Sequence, residues 1–248
     1  MKPVFTYTKG MTDAETNFCP GCTHGIANRL IIETLDEMGK LGDTIGAASI
    51  GCSVQIHKFM DIDMCESTHG RAPAVASGIK RVHPDKMVFT YQGDGDLASI
   101  GMGEIVHAAA RGEKFCTFFI NNCVYGMTSG QMAPTTLIGQ KTTTSQEGRT
   151  REQAGMPIRM AELISTLECA VYVERVALDS PAHIRLAKKA VRRAFEVQEK
   201  KLGFAFVELL STCPTNWGLQ PHKAMKWLGE NMIPYYPLGV FRKPEEVQ

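Results

Sequence analysis

Apolar residues follow two spacings along the chain, and the change from one to the other predicts helices and strands in alternation. Apolar positions recur at helical spacing over residues 25–38, 72–82, 98–111 and 181–200. Continuous apolar or β-branched runs of strand length cover residues 44–50, 87–91, 115–120, 170–176 and 204–210. Such alternation is typical of βαβ units and a parallel sheet. We therefore predict an α/β fold, with a parallel sheet flanked by helices.

The alternating pattern continues without a repeat, a low-complexity tract or a linker. We therefore expect residues 1–248 to form a single domain, with a C-terminal extension from about residue 214 to 248. One polar stretch, residues 125–155, is rich in Thr, Gly and Gln. Because it is longer than an ordinary connection, we predict that it is a functional loop.

Composition and charge narrow the classes of protein. The 27 basic and 26 acidic residues give a net charge of +1, which provides no general attraction to nucleic acid or to an anionic membrane. No apolar run approaches the length of a membrane span, and the start of the chain lacks the features of a signal peptide, so we expect a cytoplasmic protein. Eight cysteines in such a chain favour metal, redox or buried thiols over disulfides.

Polar side chains follow two of the predicted strands. The strand 87–91 is followed by Gly93-Asp94-Gly95, and the strand 115–120 by Asn122. Parallel neighbours end at the same sheet edge, roughly 5 Å apart, where open α/β sheets bind ligands. Asp and Asn oxygens suit Mg²⁺, and glycines before a helix start allow a phosphate to approach. A plain turn is the alternative, and the absence of a third glycine disfavours a dinucleotide.

The cysteines leave several kinds of site open. Cys19-Pro-Gly-Cys22 is compatible with a zinc knuckle, a thioredoxin-like redox pair or half of an iron–sulfur site. Structural zinc usually shows a second matching Cys pair, which this chain lacks. A thioredoxin-like pair would follow a strand, and the pattern predicts no strand before Cys19. Cys52 and Cys213 each follow a predicted strand, so four thiols can meet around a [4Fe–4S] cluster. Of the others, we expect two in the core (Cys116, Cys169) and two without a special role (Cys65, Cys123).

Together these motifs resemble the β subunit of a 2-oxoacid:ferredoxin oxidoreductase. They occur in the expected order over residues 18–218: FCPGCTHG, GCSVQIHKF, THGRAPAVASGIKR, QGDGDLASIGMGE, NNCVYGMTSGQMAPTT and STCPTNWG. The resemblance implies a thiamine diphosphate-binding fold. It implies Mg²⁺ held by Asp94, the Asn122 side chain and the Val124 carbonyl, and a [4Fe–4S] cluster on Cys19, Cys22, Cys52 and Cys213. It implies thiamine diphosphate contacts from Ile50, Gly51, Cys52, Ser53, His69, Gly95, Asp96, Gly126 and Met127.

The activity that the resemblance implies is typical of anaerobic metabolism. A 2-oxoacid is oxidatively decarboxylated to an acyl-CoA, and electrons pass through the cluster to ferredoxin. No catalytic residue is expected with certainty in this chain, because the family takes the activating carboxylate from a partner α subunit; we interpret Glu104 as solvated or structural. Further γ and ferredoxin-like δ subunits are expected.

The substrate is less strongly indicated. The motifs are most similar to those of members that act on 2-oxoisovalerate. With 2-oxoglutarate as the alternative substrate, Lys141, Arg149 or Arg151 would pair with its second carboxylate. Two other functions stay open: half of a non-redox thiamine-dependent decarboxylase or synthase, which would not use the cysteines, and a zinc-binding scaffold subunit, which would not use thiamine.

Overall fold

The structure, a computed structural model, describes residues 6–247; residues 1–5 and 248 of the predicted domain lie outside this range. Its strands are β1 Thr44–Ala48, β2 Asp63–Glu66, β3 Met87–Gly93, β4 Cys116–Asn121, β5 Ala170–Ala177, β6 Phe204–Leu210 and β7 Gly239–Arg242. Its helices are α1 His24–Glu37, α2 Ala72–Val82, α3 Met102–Ala110, α4 Arg151–Ala154, α5 Met160–Ser165, α6 Pro181–Glu199, α7 Pro214–Trp217, α8 Pro221–Trp227 and α9 Ile233–Tyr235. Short 3₁₀ turns occupy Leu41–Asp43 and Cys52–Lys58, and π-helical turns occupy Asp96–Ile100 and Leu228–Met232.

The strands form one sheet in the order β2-β1-β3-β4-β6-β5-β7. The pairs among the first six strands are parallel, and β7 pairs antiparallel with β5. The predicted α/β fold with a parallel sheet flanked by helices is confirmed. The sequence pattern missed β2 and β7 because both are four-residue edge strands without a buried apolar run. The helix predicted from residue 98 begins at Met102, because the preceding turn is π-helical.

Hydrophobic layers cover both faces of the sheet. Strand β3 is buried on both sides, which explains its continuous apolar sequence. On one face Phe89 and Phe118 pack with Phe195 of α6, their ring centroids 5.3–6.2 Å apart in edge-to-face geometry. On the other face Val88 and Phe119 pack against α2, α3 and α5. Each buried aromatic ring contributes about 1.5–3 kcal/mol, so these layers fix the strand positions on which the site depends.

The C-terminal segment, residues 214–247, packs against the carboxyl edge of the sheet. Leu228, Met232 and Tyr236 form a small core with Leu137 of the polar loop and Leu210 at the end of β6. The segment then returns along β5 as strand β7. The C-terminal segment, predicted as an extension, therefore packs against the polar loop 125–155. Within residues 6–247, no helix has both the length and the apolar character required to cross a membrane.

Candidate functional site

Asp94 lies at the carboxyl end of β3, beside the end of β4. Its Oδ1 accepts the Gly95 N–H at 2.8 Å, and its Oδ2 accepts the Thr135 hydroxyl at 2.7 Å and the Asn122 N–H at 3.3 Å. Burial raises the pKa of Asp94 to about 6, although these hydrogen bonds act in the opposite direction. A carboxylate that has lost its water shell, yet is held in place by donors, is well suited to receive a cation.

The segment after β4 presents an available carbonyl oxygen beside Asp94. Neighbouring carbonyls are occupied: Asn122 O accepts from the Trp217 indole at 3.1 Å, and Tyr125 O accepts from an N–H at 2.9 Å. Within residues 6–247, the Val124 carbonyl accepts no hydrogen bond. Cys123, which lies between Asn122 and Val124, has a φ of 61°. This left-handed conformation is uncommon for a residue other than glycine and is concentrated at functional sites. The oxygen that the family resemblance assigns to Mg²⁺ is therefore the one left available.

A second carboxylate, Asp96, is saturated with donors. It accepts the Ser49 hydroxyl at 2.8 Å, the Gly70 N–H at 2.6 Å, the Gln92 amide at 2.6 Å and a short hydrogen bond from His69 Nδ1. The bond to Nδ1 leaves Nε2 of His69 available to a ligand, because the ring lines the same cavity as Asp94. With Nδ1–H donated to Asp96, Nε2 donates to a phosphate only in the protonated ring and accepts from a ligand in the neutral ring, and the buried aspartate orients the histidine in both cases.

All predicted thiamine and magnesium residues line one cavity of about 80 Å³. They are Ile50, Gly51, Cys52, Ser53, His69, Asp94, Gly95, Asp96, Asn122, Val124, Gly126 and Met127. Gly95 has a packing reason to be glycine, because a Cβ there would lie 2.3 Å from the Tyr125 ring. The cavity is small for a cofactor of this size, since pockets that enclose such ligands hold roughly 300–1,000 Å³. By this measure the described residues alone do not enclose a ligand of that size.

The four predicted cluster ligands, Cys19, Cys22, Cys52 and Cys213, line a second cavity of about 360 Å³. Burial, with a smaller contribution from neighbouring thiols, raises the pKa of Cys22 to about 12 and that of Cys52 to about 11. A bound iron centre would supply the positive charge that ionises these two thiols. Gly126 leaves the space between two of them free, because a Cβ there would lie 3.4 Å from Cys52 Sγ and 3.7 Å from Cys213 Sγ.

The thiol cavity contains all four predicted cluster ligands. In the described part of the chain, no three His, Cys, Asp or Glu side chains are close enough to hold one metal ion. A zinc ion requires each sulfur at about 2.3 Å from a common centre. In a [4Fe–4S] cluster each cysteine thiolate instead binds a different iron.

The two cavities share a wall formed by His24, Cys52, Asn122, Gly126 and Met127. His24 Nδ1 is 2.7 Å from the Tyr91 hydroxyl, and its ring stacks on Phe18 with centroids 5.1 Å apart. Burial lowers the pKa of His24 to about 4, so the ring is neutral. The thiol cavity is therefore directly adjacent to the cavity that contains Asp94 and Asp96, and the histidine in the wall between them is uncharged.

Two predictions for individual residues are wrong. Arg149 cannot pair with a substrate carboxylate, because it is buried and its guanidinium donates to backbone carbonyls on both sides of the loop. Cys169, predicted in the core, is exposed in the turn before β5. Glu104 forms an ion pair with Arg71 at 2.5 Å and lines neither cavity. Lys141 and Arg151 are exposed and also line neither cavity.

Two residues at the site were not singled out from the sequence, although both lie in motifs that carry the family resemblance. Thr135, which donates to Asp94, lies 41 residues further along the chain. Asn216 donates to the Gly126 carbonyl at 2.7 Å and to Cys213 Sγ at 3.2 Å. For Asn216 the hint was its position three residues after a predicted cluster ligand, and for Thr135 it was membership of the motif NNCVYGMTSGQMAPTT. Neither hint identifies the contact, because the contact depends on how the loop folds.

Comparison with known proteins agrees with this geometry. Residues 45–209 match the C-terminal TPP-binding domain of thiamine pyrophosphate enzymes. The ketoisovalerate oxidoreductase subunit VorA of Methanothermobacter thermautotrophicus is 46% identical over 96% of this chain and 50% of its own length. The 2-oxoglutarate synthase subunit KorB of Methanocaldococcus jannaschii is 37% identical over 87% of this chain and 78% of its own length. The 2-oxoacid:ferredoxin oxidoreductase subunit beta of a Sulfolobus species is 32% identical over 93% of this chain and 73% of its own length.

One solved structure extends the likeness to three dimensions. It is a 2-oxoglutarate:ferredoxin oxidoreductase from Magnetococcus marinus with 2-oxoglutarate, coenzyme A and succinyl-CoA bound. Its TM-score is 0.80 at 25% sequence identity, over 98% of this chain and 86% of the other. The chain spans about half the length of the VorA relatives that it matches. From the domain match, the relatives and the shared fold, the chain belongs to the thiamine pyrophosphate enzymes, in the family of 2-oxoacid:ferredoxin oxidoreductase β subunits.

Proposed function

We propose that this chain is the subunit of a 2-oxoacid:ferredoxin oxidoreductase that carries thiamine diphosphate, Mg²⁺ and one [4Fe–4S] cluster. The observation that carries the proposal is the wall shared by the two cavities, which puts the four thiols next to the cofactor edge. When bound, thiamine diphosphate would cleave the 2-oxoacid next to its carbonyl, and the cluster would remove electrons singly towards ferredoxin while the acyl group goes to coenzyme A. A non-redox decarboxylase has no use for the thiol cavity.

The chain's own residues would hold each group. Asp94, the Asn122 side chain and the Val124 carbonyl would hold Mg²⁺ beside the diphosphate. The N–H groups after Gly95 and the protonated ring of His69, which Asp96 orients, would bind the diphosphate. Cys19, Cys22, Cys52 and Cys213 bind the cluster. The neutral, buried His24 excludes water between them.

The activating carboxylate comes from a partner α subunit. Among the described residues, Asp94 and Asp96 are the carboxylates that line the cavities. The first is assigned to the metal, and both oxygens of the second already accept hydrogen bonds. The small cofactor cavity also requires a second wall. The complex is completed by γ and ferredoxin-like δ subunits, which relay electrons to ferredoxin in the cytoplasm.

The substrate is a branched-chain 2-oxoacid such as 2-oxoisovalerate. Neither cavity is lined by a lysine or arginine from the described residues, so this wall offers no partner for the second carboxylate of 2-oxoglutarate. Ile50 and Met127 instead present partly exposed apolar surface at the cofactor cavity. The aliphatic side chain of 2-oxoisovalerate carries no charge and therefore requires no cation from this wall. The VorA likeness supports the same substrate.

The first experiment measures what the chain binds. The chain is purified anaerobically with its natural partners, and iron, acid-labile sulfide and thiamine are assayed together. We expect about four irons for this subunit, lost in Cys213→Ser, and thiamine lost in Asp94→Asn. Cys169→Ser is the matched control, because that thiol is exposed and lines neither cavity, and it should retain both. Thiamine without iron would favour a non-redox lyase; zinc without thiamine would favour the scaffold.

The second experiment compares substrates. The same complex is assayed for coenzyme A-dependent reduction of ferredoxin with 2-oxoisovalerate and with 2-oxoglutarate. We expect kcat/KM to be at least about a hundredfold higher for the branched-chain acid, because the described residues of this chain's wall supply no lysine or arginine for a second carboxylate. A preference for 2-oxoglutarate would contradict the substrate assignment and would leave the redox activity intact.

A further inference from the structure

Asn216 connects the thiol cavity to the loop of the cofactor cavity with one side chain. Its Nδ2 group donates to the Gly126 carbonyl at 2.7 Å and to Cys213 Sγ at 3.2 Å. Gly126 belongs to the wall shared by the two cavities, and Cys213 is a proposed cluster ligand. The amide has two N–H groups, and both are used in this bridge.

The orientation of the amide follows from its partners. A backbone carbonyl accepts hydrogen bonds and cannot donate, so the nitrogen end must face Gly126. The side chain also has little freedom to turn, because it packs on Gly130, where a Cβ would lie 2.9 Å from Asn216 Cβ. Gly130 has a φ of +82°, so the loop is shaped to accept Asn216.

We propose that Asn216 is a positioning residue that sets the reduction potential of the cluster and holds the thiamine loop against it. This inference rests on the proposed function. A reduced cluster carries one more negative charge than an oxidised one, and an N–H donor to a ligand sulfur stabilises that charge, which raises the potential. The same side chain fixes Gly126, so its loss also loosens the wall that thiamine diphosphate contacts.

The two roles predict a reciprocal effect. If one side chain stabilises both sites, binding of thiamine diphosphate changes the reduction equilibrium of the cluster. Reduction of the cluster then changes the affinity for thiamine diphosphate by the same factor. Thiamine diphosphate, by ordering Gly126, strengthens the placement of Asn216 on Cys213. We expect the midpoint potential to be higher in the thiamine-loaded complex than in the thiamine-free complex, and this difference to disappear in Asn216→Ala.

The test uses the full chain in its anaerobic complex. The variants are Asn216→Ala, which removes the donor, and Asn216→Asp, which replaces it with a charged acceptor of the same shape. Asn17→Asp is the matched control, because Asn17 lines the thiol cavity, bonds to Gln55 and contributes no bond to a thiol. The readouts are the midpoint potential, from a redox titration followed by electron paramagnetic resonance, and the dissociation constant of thiamine diphosphate.

We expect a lower midpoint potential in Asn216→Ala, a still lower one in Asn216→Asp, and a smaller decrease in Asn17→Asp, which measures the effect of charge alone. Thiamine diphosphate should bind Asn216→Ala about tenfold more weakly, close to the loss of one hydrogen bond. Wild-type potential and thiamine affinity in an iron-containing Asn216→Ala complex would overturn the inference and leave the proposed function intact. A wild-type complex without iron would overturn both.

Loss of the cluster from the variants does not prevent the test. The bond from Asn216 to Gly126 joins two groups of the chain itself. Thiamine diphosphate affinity is then compared between iron-depleted wild type and Asn216→Ala, with Mg²⁺ present in both. Weaker binding by the variant supports the link between the loop and residue 216, and equal affinity overturns it.

Discussion

At the scale of single residues, the sequence indicates which side chains end the strands but not which side chains surround them. Asp94 and Asn122 were predictable because each directly follows a buried strand, and parallel strands bring their ends together. Thr135 was not, because a threonine in a polar loop has no periodic signal. Its hydroxyl nevertheless reaches Asp94 Oδ2 at 2.7 Å and lowers the pKa that burial raises. The ionisation of the proposed metal ligand therefore depends on a residue from outside its motif.

Magnesium-dependent cofactor binding should weaken in acid with a midpoint near the pKa of Asp94, which is about 6. The carboxylate form binds the cation, and burial has raised the pKa. The binding form therefore predominates above this pH and is lost as the pH falls through it. Below the midpoint the apparent affinity for Mg²⁺ should fall by about tenfold per pH unit, because one proton is displaced on binding. Magnesium titrations at fixed thiamine diphosphate, repeated across the pH range, measure this.

Thr135→Val separates the titration of Asp94 from that of the cofactor phosphate. The substitution keeps the shape of the side chain and removes the hydroxyl that stabilises the carboxylate. The midpoint should therefore move to higher pH in the variant, whereas a phosphate that titrates in solution behaves identically with both proteins. An unshifted midpoint would show that the cofactor, and not Asp94, controls the pH dependence.

At the scale of elements, the polar loop 125–155 has few ladder hydrogen bonds and depends on one buried arginine. It contains isolated bridges between Tyr125 and Gln131 and between Thr142 and Ser145. The Arg149 guanidinium donates to six carbonyls, those of Ala133, Pro134, Thr136, Ala154, Gly155 and Met156. The length of the loop predicted that it has a function. The sequence could not predict this arrangement, because an arginine among polar residues is normally exposed to solvent.

Replacing Arg149 with lysine should destabilise the chain nearly as much as replacing it with methionine. A single ammonium group cannot reproduce the planar fork that reaches carbonyls on both sides. Buried carbonyls would lose their donors, at a cost of about 2–4 kcal/mol in the free energy of unfolding. Thiamine affinity should fall as well, because Thr135 lies between carbonyls that Arg149 holds. Urea denaturation and limited proteolysis of the loop measure the two effects.

Arg151→Lys provides the control for this prediction. Arg151 is exposed and lies two residues further along the chain, in α4. The same chemical change there should alter the free energy of unfolding by less than about 0.5 kcal/mol. If both lysine variants behaved alike, the carbonyl contacts of Arg149 would contribute little to the loop.

At the scale of the whole molecule, the hydrophobic periodicity of the sequence predicted the alternating helices and strands. It missed the elements that form only against the assembled sheet. The long βαβ elements carry their own periodicity, so the parallel core was predictable. The C-terminal segment has short helices and a four-residue edge strand, which have no such signal. It is held by contacts across the fold: the Tyr236 hydroxyl donates to Thr135 O at 2.6 Å, and Arg175 donates to Pro237 O at 3.1 Å. The first contact joins the segment to the loop beside Asp94, and the second joins it to β5.

The C-terminal segment should therefore unfold together with the sheet. Both tryptophans of the chain, Trp217 and Trp227, lie in this segment with ring centroids 4.5 Å apart, so tryptophan fluorescence reports on it alone. Far-ultraviolet circular dichroism reports mainly on the α/β core. In urea, with iron removed to avoid quenching, the two signals should give coincident transitions.

Tyr236→Ala tests whether the packing of the segment causes this coupling. Tyr236 is fully buried, and its truncation removes the bond to Thr135 and leaves a cavity, at a cost of about 3–5 kcal/mol. If the segment is held by this side chain, the fluorescence transition of the variant should move to lower urea than the dichroism transition. Tyr236→Phe keeps the ring and should lose only about 1–2 kcal/mol, with the transitions still coincident. Separate transitions in the wild type would instead identify the segment as an independent extension, and the loop that carries Thr135 would then have to be stable without it.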